Sequence, residues 1–90
     1  MEFDYDMRKS ASNKIKHAID FVEAAQIWDD EDFLIVPVRS DTEPRFAAIG
    51  RIGDKIWTVV FTPRDGKIRV ISARRARKKE IAHYEQSKND

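Results

Sequence analysis

The chain contains no cysteine, which excludes disulfides and thiolate metal sites together. Its two histidines lie far apart, so no zinc-like spacing of imidazoles is present either, and no metal or cofactor is expected. Glycine and proline are scarce, three of each, so a folded chain is expected, fraying only at ends such as "QSKND". The longest apolar-rich run, "IWTVVF", falls far short of the ~20 residues that cross a bilayer. The opening "MEFDYD" is acidic and lacks the basic front of a signal peptide. A cytoplasmic protein with no membrane partner is the expectation. No phosphate-cradling glycine loop or nucleophile elbow is present, which removes nucleotide-dependent and hydrolase-triad readings. The run "DDED" (residues 29–32) lacks the glycine and spacing of a calcium loop and reads as solvated.

What the chain has in abundance is charge, 37% of its residues, for a formal net of only +1. Residues 1–44 hold five Lys/Arg against eleven Asp/Glu, a balance of −6. Residues 45–90 hold twelve against five, a balance of +7. Within the second half, "KIRVISARRARKKE" (residues 67–80) carries seven basic residues before its first acid. Such asymmetry points either to an anionic partner, commonly nucleic acid, or to a dipolar molecule whose halves pair with each other.

Ninety residues suit one domain with a thin core. Asp6 is placed to cap a first helix running from Met7 to about Lys16, with Lys9, Asn13 and Lys16 on one face. Asp20 and Glu23 form a capping-box pair, and Phe21, Ala24, Ala25 and Trp28 follow at helical spacing in a second helix. The texture then changes. "FLIVPV", "RFAAIGRI", "KIWTVVFT" and "KIRVISA" are short, rich in β-branched and aromatic residues, and punctuated by "IGDK" and "PRDGK", where Gly53 and Gly66 serve tight turns. These predict an antiparallel sheet of about four strands, with Pro37 marking an edge position or a strand end. A last helix is expected from about Ala76 to Gln86, with Ile81 and Tyr84 on its packed side. The class is α+β.

These residues resemble the BrnT toxin family. The first block is Asp6, Lys9, Asn13, Lys16, His17 and Ile19 followed by Phe21, Glu23 and Ala24. The second is Glu43, Arg45, Ile49 and Gly50, and the third Arg69, Ser72, Ala73, Arg74, Ala76, Glu80 and Tyr84. One departure is Ala18, where the family usually has a glycine that would end the helix at positive φ. The resemblance implies a RelE-like fold and a type II toxin–antitoxin toxin that arrests growth and translation by cutting RNA. It further implies a BrnA-type antitoxin, a toxin dimer within a two-toxin, two-antitoxin assembly, and promoter DNA met only through that complex.

A ribonuclease working without metal must deprotonate a 2′-hydroxyl, steady the charge on phosphorus, and protonate the leaving 5′-oxygen. His17 is a candidate for proton transfer; its plainer role is to cap carbonyls at a helix C-terminus. His83 reads as a solvated surface residue. Glu43 and Arg45, two apart on an extended segment, are expected to share a face as base and charge stabiliser, or else to form a surface ion pair. Arg69, Arg74 and Arg75 suit bidentate clamping of phosphate, with Arg69 and Arg75 sharing strand parity and Arg74 the opposite one. Lys9, Asn13, Lys16, Arg77 and Lys78 are candidate RNA contacts. Trp57 and Phe61 fit the core better than a base-stacking platform. Two other readings stand beside the enzyme: a nucleic-acid-binding co-repressor that does not cut, and a dock for an acidic protein.

Overall fold

The computed structural model describes residues 1–89. The chain order is β1 (Phe3–Asp4), α1 (Met7–His17), α2 (Phe21–Ala24), a 3-10 turn (Ala25–Asp29), β2 (Leu34–Val38), β3 (Arg45–Ile52), β4 (Lys55–Arg64), β5 (Lys67–Arg75) and α3 (Lys78–Lys88). The α+β class is as expected, but the sheet has five strands in the order β1-β5-β4-β3-β2. It is mixed, because β1 pairs parallel to β5 through Phe3 with Ile68 and Asp4 with Arg69. A two-residue strand is too short to show alternation, and its partner lies 65 residues away, so nothing local betrays it. Pro37 does lie on an edge strand.

The helices obey local chemistry with two adjustments. Asp6 caps α1 by accepting from Arg8 N–H (2.8 Å) and Lys9 N–H (3.2 Å). The helix then ends at Ala18, which takes the left-handed conformation (φ 64°) that its position demands, and donates its N–H to the Lys14 carbonyl. The second helix is shorter than its apolar pattern suggests. After one capped turn the chain tightens into 3-10 geometry, and the residues it buries are Phe21, Ala24 and Ile27, a spacing of three that suits this winding. The last helix begins two residues later than expected, since Ala76 still donates to the Ile56 carbonyl in ladder fashion. It also continues to Lys88, so most of "QSKND" is helix or its cap, and Asp90 lies outside the described residues.

The two hairpins are set by their turns. Gly53 takes positive φ at the first position of one, and Asp65 with Gly66 both take positive φ in the other. Counting outward from Asp65–Gly66 pairs Arg64 with Lys67 and Thr62 with Arg69. The register then slips. Phe61 faces Val70 but Val60 faces Ser72, leaving Ile71 as a bulge.

While α1 lies along β5 with Asn13 bonded to the Ala73 backbone, one sheet face packs under Ile19, α2 and the 3-10 turn. There Ile19, Phe21, Ala24 and Ile27 meet Ala48, Trp57, Val59, Phe61, Val70 and Ala73. The other face is partly covered by α3, where Tyr84 joins Ile49 and Ile56. Trp57 and Phe61 are thus core residues. Gly50 permits the close approach of the 3-10 turn, for a Cβ there would come within 2.9 Å of Ile27 and Phe33. The acidic turn is not wholly solvated. Asp30 accepts from the Arg51 N–H (2.7 Å), the Asp32 N–H (2.9 Å) and the Tyr84 hydroxyl (2.8 Å), tying α3 across the sheet to the turn. Burial pushes the Tyr84 phenol up to about 12, and the Asp30 carboxylate adds to the shift.

Candidate functional site

The part of the second sheet face left open by α3 leads to a cleft of about 140 Å³, lined by Asp6, Lys9, Glu43, Arg45, Arg64, Arg69, Val70 and Ile71. Its four cations come from four elements. Arg45 opens β3, Arg64 closes β4, Arg69 lies on β5, and Lys9 stands in the first turns of α1. The hairpin registers explain the convergence. Phe46 pairs with Phe61, which sets Arg45 beside Thr62, and Thr62 pairs with Arg69. The Thr62 hydroxyl donates to the Pro44 carbonyl and holds the segment that carries Glu43 against β4.

Carboxylates orient these cations. Glu43 sits in the bend before β3, where its two oxygens face Arg45 (3.4 Å) and Arg64 (3.1 Å). Asp4 meets Arg69 at 2.7 Å, and the Arg69 guanidinium holds the Asp4 carboxyl below its ordinary range. The Lys9 and Arg8 amides do the same for Asp6. Arg45 Nε is shielded from solvent and has no hydrogen-bond partner among the described residues. A buried donor left this way is costly.

Of the candidates read from the sequence, Lys9, Glu43, Arg45 and Arg69 come together here. The others do not. Asn13 is 7% exposed and turned inward. Its amide donates to the Ile19 and Ala73 carbonyls (both 2.8 Å) and its oxygen accepts from the Ala73 N–H (3.3 Å), so it pins α1 to β5 and has no capacity left for RNA. Its helical spacing with Lys9 and Lys16 is real, but Ser10 and Asn13 mark the buried side. Lys16 is exposed, and His17 stands one turn beyond Asn13, about 12 Å along the helix from Lys9. His83 is exposed on α3.

The arginines at the far end of β5 depart from the parity expected of a regular strand. The bulge at Ile71 puts Val70 and Ala73, three apart, both in the core. It therefore sets Arg69 and Arg74 on one face and Arg75 on the other. Arg74 is locked bidentately onto Glu80 (2.7 and 2.9 Å), and Glu80 also accepts the Arg77 N–H (2.8 Å) at the start of α3. Burial opposes ionisation of Glu80, but Arg74 and the Arg77 amide outweigh it and hold the carboxyl low. The Arg75 guanidinium lies 5.6 Å from the Trp57 ring centroid. Arg77 and Lys78 are exposed where α3 begins.

Arg64 and Asp4 were missed by sequence reasoning. For Arg64 the signal was present: counting from the two-residue turn places it on the face of Arg45 and Arg69. For Asp4 there was none. Three guanidiniums and an ammonium around one concavity, with the Asp6 and Glu43 carboxylates among them, can bind a phosphodiester and move a proton at it. Among the described residues no group of three or more His, Asp or Glu side chains is gathered as for a metal ion, and no helix is long and apolar enough to cross a membrane.

Comparison with known proteins gives a match over residues 5–80 to the model of a family described as the ribonuclease toxin, BrnT, of type II toxin–antitoxin systems. No curated protein matches the chain.

Proposed function

This chain belongs to the BrnT family of ribonuclease toxins of type II toxin–antitoxin systems, and from that premise we propose that the cleft between α1 and the ends of β3, β4 and β5 is where it cuts RNA, without a metal ion. The observation that carries the reading is the convergence of Lys9, Arg45, Arg64 and Arg69 on one concavity, with Arg45 Nε unpartnered. A phosphodiester entering the cleft exchanges with the carboxylates for the guanidiniums. Arg45, Arg64 and Arg69 then clamp the non-bridging oxygens and stabilise the charge that builds on them. Glu43, displaced from its arginines, accepts the 2′-hydroxyl proton as that oxygen attacks the adjacent phosphorus. The bond to the 5′-oxygen breaks, Lys9 supplies the proton to it, and a cyclic phosphate remains.

The same reading extends to the setting: a RelE-like toxin of the cytoplasm, neutralised by a BrnA-type antitoxin in a two-toxin, two-antitoxin assembly that meets promoter DNA as a complex. Purified protein incubated with RNA in EDTA, with and without ribosomes, tests the chemistry. Cleavage that disappears in Arg69→Ala and Glu43→Gln supports it, and folded wild-type protein that leaves RNA intact in every condition overturns it. A second reading, a module that binds RNA without cutting it, is favoured by one observation: Glu43 is engaged by two arginines and so is poorly placed to act as a base. Salt-dependent RNA binding with no cleaved product would select it.

A further inference from the structure

The outward side of α1 exposes apolar side chains that packing within the chain leaves unused. Met7 and Ile15 are 80% and 89% exposed, and Ala11 between them is exposed as well. Spaced by four, the three form one stripe along the helix. Beside it lies a groove of about 350 Å³, lined by Tyr5, Met7, Ser10, Ala11, Lys14 and Asp20. The stripe is edged by cations. Arg8 stands three before Ala11 and seven before Ile15 on one flank, and Lys14 stands seven after Met7 on the other. Lys14 is ion-paired with Glu23 at 2.7 Å. The helix as a whole carries Arg8, Lys9, Lys14 and Lys16 and no acid.

We propose that this face docks an amphipathic helix of another protein whose apolar stripe is edged by Glu and Asp. Apolar residues at spacings of three and four on the partner would seat between Met7, Ala11 and Ile15 and in the adjoining groove, while its acidic flanks meet Arg8 on one side and compete with Glu23 for Lys14 on the other, as charged edges do beside a coiled-coil seam. Eleven residues give α1 a length of about 16 Å, enough for three turns of a partner. A second copy of this chain fits poorly, because pairing α1 with α1 sets two acid-free basic helices together. A lipid surface fits poorly as well, because the groove beside the stripe is concave. Lys9 projects from the opposite flank of α1, so a helix seated on the stripe leaves the cleft open. The docking face is independent of the cutting chemistry, and its test reads binding alone.

The probe is a labelled synthetic peptide of three heptads with Leu at the seam and Glu at the flanks, titrated with the whole protein by fluorescence anisotropy. Its twin carries Lys at the flanks. Binding of the Glu peptide at least tenfold tighter than its twin, lost at least tenfold in Ile15→Glu, is the expected result. Arg8→Glu should narrow or reverse the preference, and unchanged circular dichroism establishes that both variants remain folded. Equal binding of the two peptides, no binding of either, or attachment only to anionic vesicles overturns the proposal. So does a dimer of the protein alone, seen by sedimentation, that Ile15→Glu dissolves.

Discussion

Two clusters of arginine sit at the two ends of β5, and they are put to different use. At the first end Arg69 joins Arg45, Arg64 and Lys9 around a cleft, each arriving from a separate element. At the second end Arg74 is clasped by Glu80, Arg75 lies against the Trp57 ring, and Arg77 stands at the exposed start of α3. Linear density of charge is higher at the second end, but the cleft lined by several arginines lies at the first. The divider is a single inserted residue, Ile71, which reverses the facing of everything after it. Local concentration of cations along a chain is thus a poor guide to where they meet in space. Register decides that.

The sharpest way to break the comparison is to neutralise one arginine at each end. Arg69→Ala should lower RNA cleavage by roughly 10²–10³-fold, the effect expected of one lost transition-state donor, and Arg75→Ala by less than about threefold. Equal losses in a kinetic assay would erase the distinction between the clusters. The next largest effect is on stability. Asn13→Ala leaves the Ile19 and Ala73 carbonyls unpaired where α1 meets β5, and should destabilise the fold by about 3 kcal/mol in urea titration. A loss under about 1 kcal/mol would mean that Asn13 does not hold α1 to β5.

The Arg74–Glu80 clasp offers a pH signature. The folded carboxyl lies below its ordinary value, so its stabilisation is present above the unfolded pKa, near 4.5, and fades as pH falls through the folded value. Glu80→Gln should cost about 2 kcal/mol at neutral pH and less in acid, while leaving RNA cleavage nearly unchanged. Denaturation curves at several pH values, paired with cleavage rates, check both halves. The smallest effect is Ala18→Gly. Relieving a left-handed alanine should stabilise by about 1 kcal/mol, seen as a rise in melting temperature, without changing either arginine cluster.

Much of the frame was legible because its signals are local. Asp6 and Asp20 declare their helices through capping, and Gly53 and Gly66 declare their hairpins through positive φ. Half of the cleft was legible as well: Glu43 and Arg45 are neighbours in sequence, and Arg69 belongs to the conspicuous basic run. What escaped depends on distant pairing. β1 exists only because Ile68 and Arg69 are there to receive it. Arg74 and Arg75 exchange faces because of a bulge that no spacing announces. Asn13 looks like one polar residue on a basic helix until Ala73 is brought beneath it.

The parallel pairing of β1 with β5 has a consequence for how the cleft assembles. Phe3 and Asp4 stand 65 residues before their partners, Ile68 and Arg69. The Asp4 carboxylate that steadies Arg69 must wait for them, and so must Lys9, which reaches the cleft only when α1 docks on β5. No local stretch of chain can make the cleft, whose lining runs from Asp6 to Ile71; it exists only once both edges of β5 have been dressed.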